Sequence, residues 1–201
     1  MKSHNISVAL GCAHGIDIPG KQSPDGTFRE WRFSREIQFQ VADILKFCGY
    51  EVYIINAQDT EMGLSNRKRC LNQLTPTLPL IYITLHNNTA GSEGKWLNAT
   101  GIEVYSSRGE TKSDKIATLF LELCEETFPD FKYRKDFLDG DPDKEANFTE
   151  LMSKWPSILI EWLFMDSKND IQYLKNDVHK QLLVNFLVDF VNTLDMKYHT
   201  L

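Results

Sequence analysis

The sequence has few of the features that mark the commoner specialised proteins. Its four cysteines, at 12, 48, 70 and 124, include no C-x-x-C pair, so neither a zinc ribbon nor a thioredoxin-like redox site is indicated. No run approaches the ~18 apolar residues of a membrane span. The opening MKSHNISVALG carries one Lys and a short apolar stretch, too little for a secretory signal. Internal repeats and low-complexity stretches are absent, and no G-x-G-x-x-G follows the first apolar run, which argues against a dinucleotide-binding fold. Positive charge is also scarce. With 22 Lys and Arg against 28 Asp and Glu, the net charge of −6 disfavours a nucleic-acid or anionic-membrane partner and leaves a neutral or cationic polymer as the better one. The expectation is a protein synthesised in the cytoplasm without a signal peptide, with no membrane insertion. Any work outside the cytoplasm then needs another export route.

What is present is the composition of a compact domain: 42% hydrophobic, 25% charged and 11% aromatic residues over 201 positions. Such a length buries roughly 70% of the surface of the unfolded chain, and residues 1–201 are expected to form one domain. Short apolar runs (Ile6 to Gly11, Tyr50 to Asn56, Leu80 to His86, Ile102 to Ser106, Ile158 to Glu161) alternate with helix-period segments (Glu30 to Cys48, Gly63 to Leu74, Lys112 to Glu126, Asp177 to Leu194). This alternation predicts an α/β fold, a three-layer sandwich in which helices flank a mostly parallel twisted sheet. Three polar segments interrupt the rhythm, at Ile16 to Arg29, Asn87 to Thr100 and Asp136 to Glu150. The last carries the turn formers Asp139-Gly140-Asp141-Pro142 and is expected to edge the same surface as the other two. Cys48 and Cys124, among apolar neighbours, read as buried thiols. His4, His179 and His199 read as surface residues.

Three apolar runs end in a residue able to bind metal or carry a proton: VALGCAH at His14, LIYITLH at His86 and SILIE at Glu161. Ligands of open α/β sheets sit beyond the carboxyl ends of the strands, where all three could meet. Glu30 is a fourth candidate. At 100° per residue it falls on the apolar stripe of Ile37, Val41, Ile44, Leu45 and Cys48, whereas Glu36 points to the solvated side of Gln40 and Asp43. A carboxylate on a core-facing stripe needs a partner to offset its desolvation, and a divalent cation would serve. Two imidazoles and one carboxylate are the donor set of catalytic zinc, which acidifies a bound water and polarises a carbonyl, while a further carboxylate such as Glu161, its pKa raised by burial, moves the proton. The residue types point to metal-assisted hydrolysis of an acyl bond, most plausibly an amide. Cys12 shares the strand side of His14 and reads as a core thiol rather than a ligand.

The segments CAHGIDIPGKQSPDGTFREWRFSREI (12–37), NRKRCLN (66–72), YITLHNNTAG (82–91), GIEVYSSRGETKSD (101–114) and SILIEWLFMDSKND (157–170) together resemble the zinc-dependent N-acetylmuramoyl-L-alanine amidases of the type-3 amidase family, in the compact phage- or prophage-like form of gut Bacteroidetes. The resemblance implies a sheet of about six strands. It also implies one zinc ion held by His14, Glu30 and His86, with Glu161 as catalytic carboxylate and peptidoglycan as substrate. Asn87, Trp96 and Arg134 are candidate substrate contacts, and Arg67 and Asn72 are expected in structural or rim roles. Trp31 and Trp162 are read as packing residues at least as readily as sugar platforms. A monomer with no separate wall-binding domain is expected, as in an endolysin that works through its catalytic domain alone. The chain departs from the family pattern at Gly11, where an Asp is usual, and at Ile16, where a Gly is. Two alternatives remain open: a zinc carboxypeptidase acting on the stem peptide, and an inactive wall-binding module of the same fold.

Overall fold

The structure, a computed structural model, describes residues 3–91 and 94–201; residues 1, 2, 92 and 93 lie outside it, and with them parts of the MKSHNISVALG and Asn87 to Thr100 segments. The elements run β1 (Ser7–Cys12), α1 (Glu30–Phe47), β2 (Val52–Ile55), α2 (Leu64–Gln73), β3 (Leu80–Asn88), β4 (Ile102–Ser106), α3 (Lys112–Thr127), β5 (Lys144–Glu145), a 3-10 turn (Thr149–Met152), β6 (Ser157–Phe164), α4 (Lys168–Leu174) and α5 (Asp177–Lys197). Local chemistry sets several starts. Thr111 and Asp114 form a reciprocal capping box on α3, while the side chains of Ser167 and Asn176 cap α4 and α5.

Six strands form one sheet in the order β2-β1-β3-β6-β4-β5. The pairs β2–β1, β1–β3, β3–β6 and β4–β5 are parallel, and β4 runs antiparallel to β6. The predicted α/β sheet with flanking helices is therefore present, with unequal layers. The apolar faces of α1, α3, α4 and α5 share the larger core with Val8, Leu10, Ile81, Ile83, Ile158 and Ile160. On the opposite face, Leu71 of α2 covers Ala9, Ile55, Leu80 and Tyr82. Because β1 has β2 on one side and β3 on the other, the connections from β1 diverge there, and a crevice opens where the carboxyl ends of the neighbouring strands β1, β3 and β6 meet.

Three readings are corrected. Cys124 is buried, but Cys48 is exposed: α1 ends at Phe47, and Cys48 is the cap residue from which the chain turns away through Gly49 at φ 96°, so the stripe no longer carries it inward. His4 is not a free surface residue, because its ring stacks on Tyr50 at 3.6 Å and its Nδ1 lies 3.0 Å from Asp195 of α5, which ties down the N-terminal segment. His179 is half-buried, with its ring stacked on Tyr173 at 4.7 Å. His199 is exposed, as expected.

Candidate active site

His14 follows the end of β1 in a left-handed backbone conformation, φ 39°, that non-glycine residues rarely adopt and that is held here by its surroundings. The Asn56 amide donates to the His14 carbonyl at 2.7 Å and to that of Cys12 at 3.2 Å. His86 lies near the end of β3 and faces Glu161 of β6 directly across the pair. Just beyond them the register slips: Asn88 pairs with Phe164, β6 contains one extra residue, and Leu163 has φ 62°. Such a bulge ends regular pairing and re-aims side chains at a strand end. Glu30 enters as the first residue of α1, where the helix dipole favours a carboxylate, and it is 1% exposed.

The three meet. Nδ1 of His86 is 3.1 Å from Oε1 of Glu30, and Nε2 of His14 is 3.5 Å from Oε2 of the same carboxylate. One nitrogen from each ring and one carboxylate oxygen lie within 4.8 Å of one another. Oε2 of Glu30 is buried without a hydrogen bond. A buried carboxylate with an imidazole beside each oxygen, one of those oxygens orphaned, is a donor set that fits zinc. Burial opposes the charge on Glu30, but its hydrogen bond to His86 and the charges of both imidazoles hold its carboxyl below the ordinary range. Burial lowers His14 to about 4, the Glu30 charge only partly opposing it. Glu161 stays outside this three-residue set and lines the same cleft. Burial pushes its carboxyl up to about 8, with the negative charges of Glu30 and Glu103 adding to the effect and His86 opposing it.

A fifth residue, Glu150, belongs to the site and was not visible in the sequence. Its Oε1 lies 3.2 Å from Nε2 of His86, and its Oε2 accepts from the Tyr82 hydroxyl at 2.8 Å and from Arg67 at 3.3 Å. Arg67, fully buried on α2, also donates to Glu61 at 2.7 Å. Although burial opposes it, the two carboxylates flanking His86 push its imidazole up to about 10. Glu150 orients the ring through Nε2, so that Nδ1 faces Glu30. Gly11 makes room for this arrangement. A Cβ there would lie 2.2 Å from the Tyr82 hydroxyl, so a side chain at position 11 would displace the group that holds Glu150. The hint in the sequence was an acid set closely between Phe148 and the Leu151-Met152 pair.

His14, Lys21, Leu64, His86, Phe148, Glu150 and Glu161 are among the walls of a cleft of about 170 Å³. The segment Asp136 to Glu150 reaches this cleft only at its end. The candidate substrate contacts are not brought together with it. Asn87 is buried, with its backbone N–H donating to Glu30 at 3.2 Å and its side-chain amide donating to the Trp162 carbonyl at 2.5 Å. Trp96 borders a separate cavity with Lys168 and Asn98. Arg134 is bound to Glu103 and lies over the Phe164 ring. Trp162 packs among Phe128, Phe131 and Phe186. Cys12 is fully buried, and burial raises its thiol to about 11. Asn72 accepts from the Lys154 backbone N–H at 2.8 Å.

Residues 8–192 match the family described as N-acetylmuramoyl-L-alanine amidase. The chain belongs to that amidase family. Solved structures with the same fold include the N-acetylmuramoyl-L-alanine amidase from Clostridium difficile 630 (23% identity, 96% of this chain and 97% of that one, TM-score 0.80) and AmiC2 of Nostoc punctiforme (20%, 100% of both chains, TM-score 0.78). The catalytic domain of CwlV from Bacillus (Paenibacillus) polymyxa is a third (18%, 94% and 97%, TM-score 0.75). No curated protein sequence matches the chain. Within this amidase family, the β1–β3–β6 crevice is the candidate active site. No helix among the described residues is long and apolar enough to cross a membrane.

Proposed function

We propose that this amidase is zinc-dependent and hydrolyses the amide between the lactyl group of N-acetylmuramic acid and L-alanine in peptidoglycan. The observation that carries the reading is the convergence of His14, Glu30 and His86 on one point, with the protonable Glu161 in the same cleft. These three residues would hold one zinc ion. When bound, zinc would supply Lewis-acid polarisation of the lactyl carbonyl and acidify the attacking water. Glu161 takes a proton from that water as the new C–O bond forms and delivers it to the alanine nitrogen as the C–N bond breaks; the second water proton follows to the amine, leaving a lactyl carboxylate and an ammonium group. Its raised pKa suits a group that must both accept and return a proton near neutrality. Glu150 orients His86 through Nε2. Lys21, on the wall of the cleft, presents a cation to an anionic stem peptide, whereas Arg134 is held by Glu103.

Mass spectrometry of the products from defined peptidoglycan tests this reading. Intact stem peptides beginning at L-alanine should be freed from the sugar strands, and a chelator should suppress their release. Loss of a terminal amino acid from the stem would indicate a carboxypeptidase instead. No product at all from zinc-loaded protein would indicate a wall-binding module.

A further inference from the structure

A second acidic cluster lies outside the cleft. Asp114 stands in the first turn of α3, and Asp141 and Asp143 lie in the polar segment before β5. One carboxylate oxygen from each lies within 4.8 Å of the others. Asp114 is satisfied: it accepts from the Thr111 backbone N–H at 2.5 Å and from the Ser106 hydroxyl at 2.9 Å. Its neighbours are not. Asp143 is 2% exposed, and both of its carboxylate oxygens, together with Oδ1 of Asp141, are buried without a well-formed hydrogen bond; the Ser106 hydroxyl, which also neighbours Asp143, is given to Asp114. Lys144, the adjacent cation in sequence, is turned to Glu103 at 3.0 Å, Lys115 donates to the Leu201 carbonyl at 2.9 Å, and Lys197 borders the cavity that Asp114 and Asp141 line.

Three buried carboxylate oxygens without a well-formed hydrogen bond, aimed at one another beside a third acid, cost several kcal/mol unless a proton or a cation sits among them. We propose that Asp114, Asp141 and Asp143 form a calcium-binding site distinct from the His14–Glu30–His86 cluster. The donors are oxygen throughout, which favours a hard cation over zinc. Calcium accepts flexible, carboxylate-rich oxygen sites, whereas magnesium demands near-ideal octahedral geometry and keeps several of its waters. The crowding agrees with this: burial, and then Asp141 beside it, push the Asp143 carboxyl up to about 8 when no cation is present. The bound ion would clamp the 136–143 segment to the start of α3. The same segment leads through β5 to the turn that carries Glu150, so the clamp steadies one wall of the cleft.

Calorimetric titration of zinc-loaded, full-length protein with calcium chloride, followed by thermal melting, tests the proposal. One calcium per chain is expected, with a rise in Tm of about 5–10 °C at roughly 100 times the Kd. Asp143→Asn should abolish both the heat and the shift, whereas His86→Ala should keep them. Absence of calcium heat at millimolar concentrations, magnesium binding in preference to calcium, or wild-type calcium affinity in Asp143→Asn would each overturn the proposal. Should Asp143→Asn not fold, Asp141→Asn carries the same expectations.

Discussion

The two acidic clusters of this molecule confine negative charge in opposite ways. At the ends of β1 and β3, Glu30 is flanked by two imidazoles, and Glu150 is shared among His86, Tyr82 and Arg67, so each carboxylate has a cationic or donor neighbour. Beside the start of α3, Asp141 and Asp143 crowd one another and a third acid, with carboxylate oxygens that no well-formed hydrogen bond satisfies. Mixed nitrogen and oxygen donors hold their geometry through hydrogen bonds and suit a borderline metal that polarises a substrate. An all-carboxylate group is stable only when something enters it, which suits a structural ion or a shared proton.

Three perturbations sharpen the comparison, the first two in order of their expected effect on the amidase site and the third on the acidic cluster. Glu161→Gln removes the proton carrier and no member of the ligand set, so amide hydrolysis of muropeptides should fall about 10²–10⁴-fold. A smaller loss would transfer the proton-carrying role elsewhere in the cleft. Glu150→Gln leaves an acceptor near Nε2 of His86 but removes its charge. Competition with a chromophoric chelator should show zinc binding weakened by about tenfold or more, with the circular dichroism spectrum unchanged. Unaltered zinc affinity would confine Glu150 to a packing role.

The third perturbation concerns pH. In protein free of calcium, Asp143 has a folded pKa near 8, above its unfolded value, so the folded state holds a proton that the unfolded state has released. This contribution favours folding at low pH and is lost as pH rises from about 4 to about 8. Asp114 and Asp141 face Asp143, and Lys115 and Lys197 border the adjoining cavity. Denaturant melts across that window should show stability falling less steeply with pH in Asp143→Asn than in the unmodified chain. Equal slopes would mean that Asp143 does not hold this proton.

Much of the site was legible because its signals are local. His14, His86 and Glu161 each close an apolar run, and the parallel neighbours β1, β3 and β6 bring those ends together. Glu30 could be selected over Glu36 by helix phase alone, and Glu36 does lie on the outer side, paired with Lys180 at 3.0 Å. What could not be read depends on partners far apart in sequence. Glu150 becomes part of the site only because Tyr82, Arg67 and Gly11 converge on it. Asn87 directly follows His86 and so resembled a substrate contact, whereas in the fold its side-chain amide donates to the Trp162 carbonyl. The reversed direction of β4 was not encoded in its apolar run. The connection from β3 contains no helix among the described residues, which fits a strand that need not return parallel. The short elements β5 and α4 lack enough residues to display a period.

The division of labour between ligands and proton carrier is the centre of this account, and the zinc content of two purified variants tests it most directly. Elemental analysis of Glu161→Gln should find one zinc per chain, as in the unmodified protein, while His86→Ala should retain almost none. Full zinc in His86→Ala, or zinc lost from Glu161→Gln with the fold intact, would contradict the assignment.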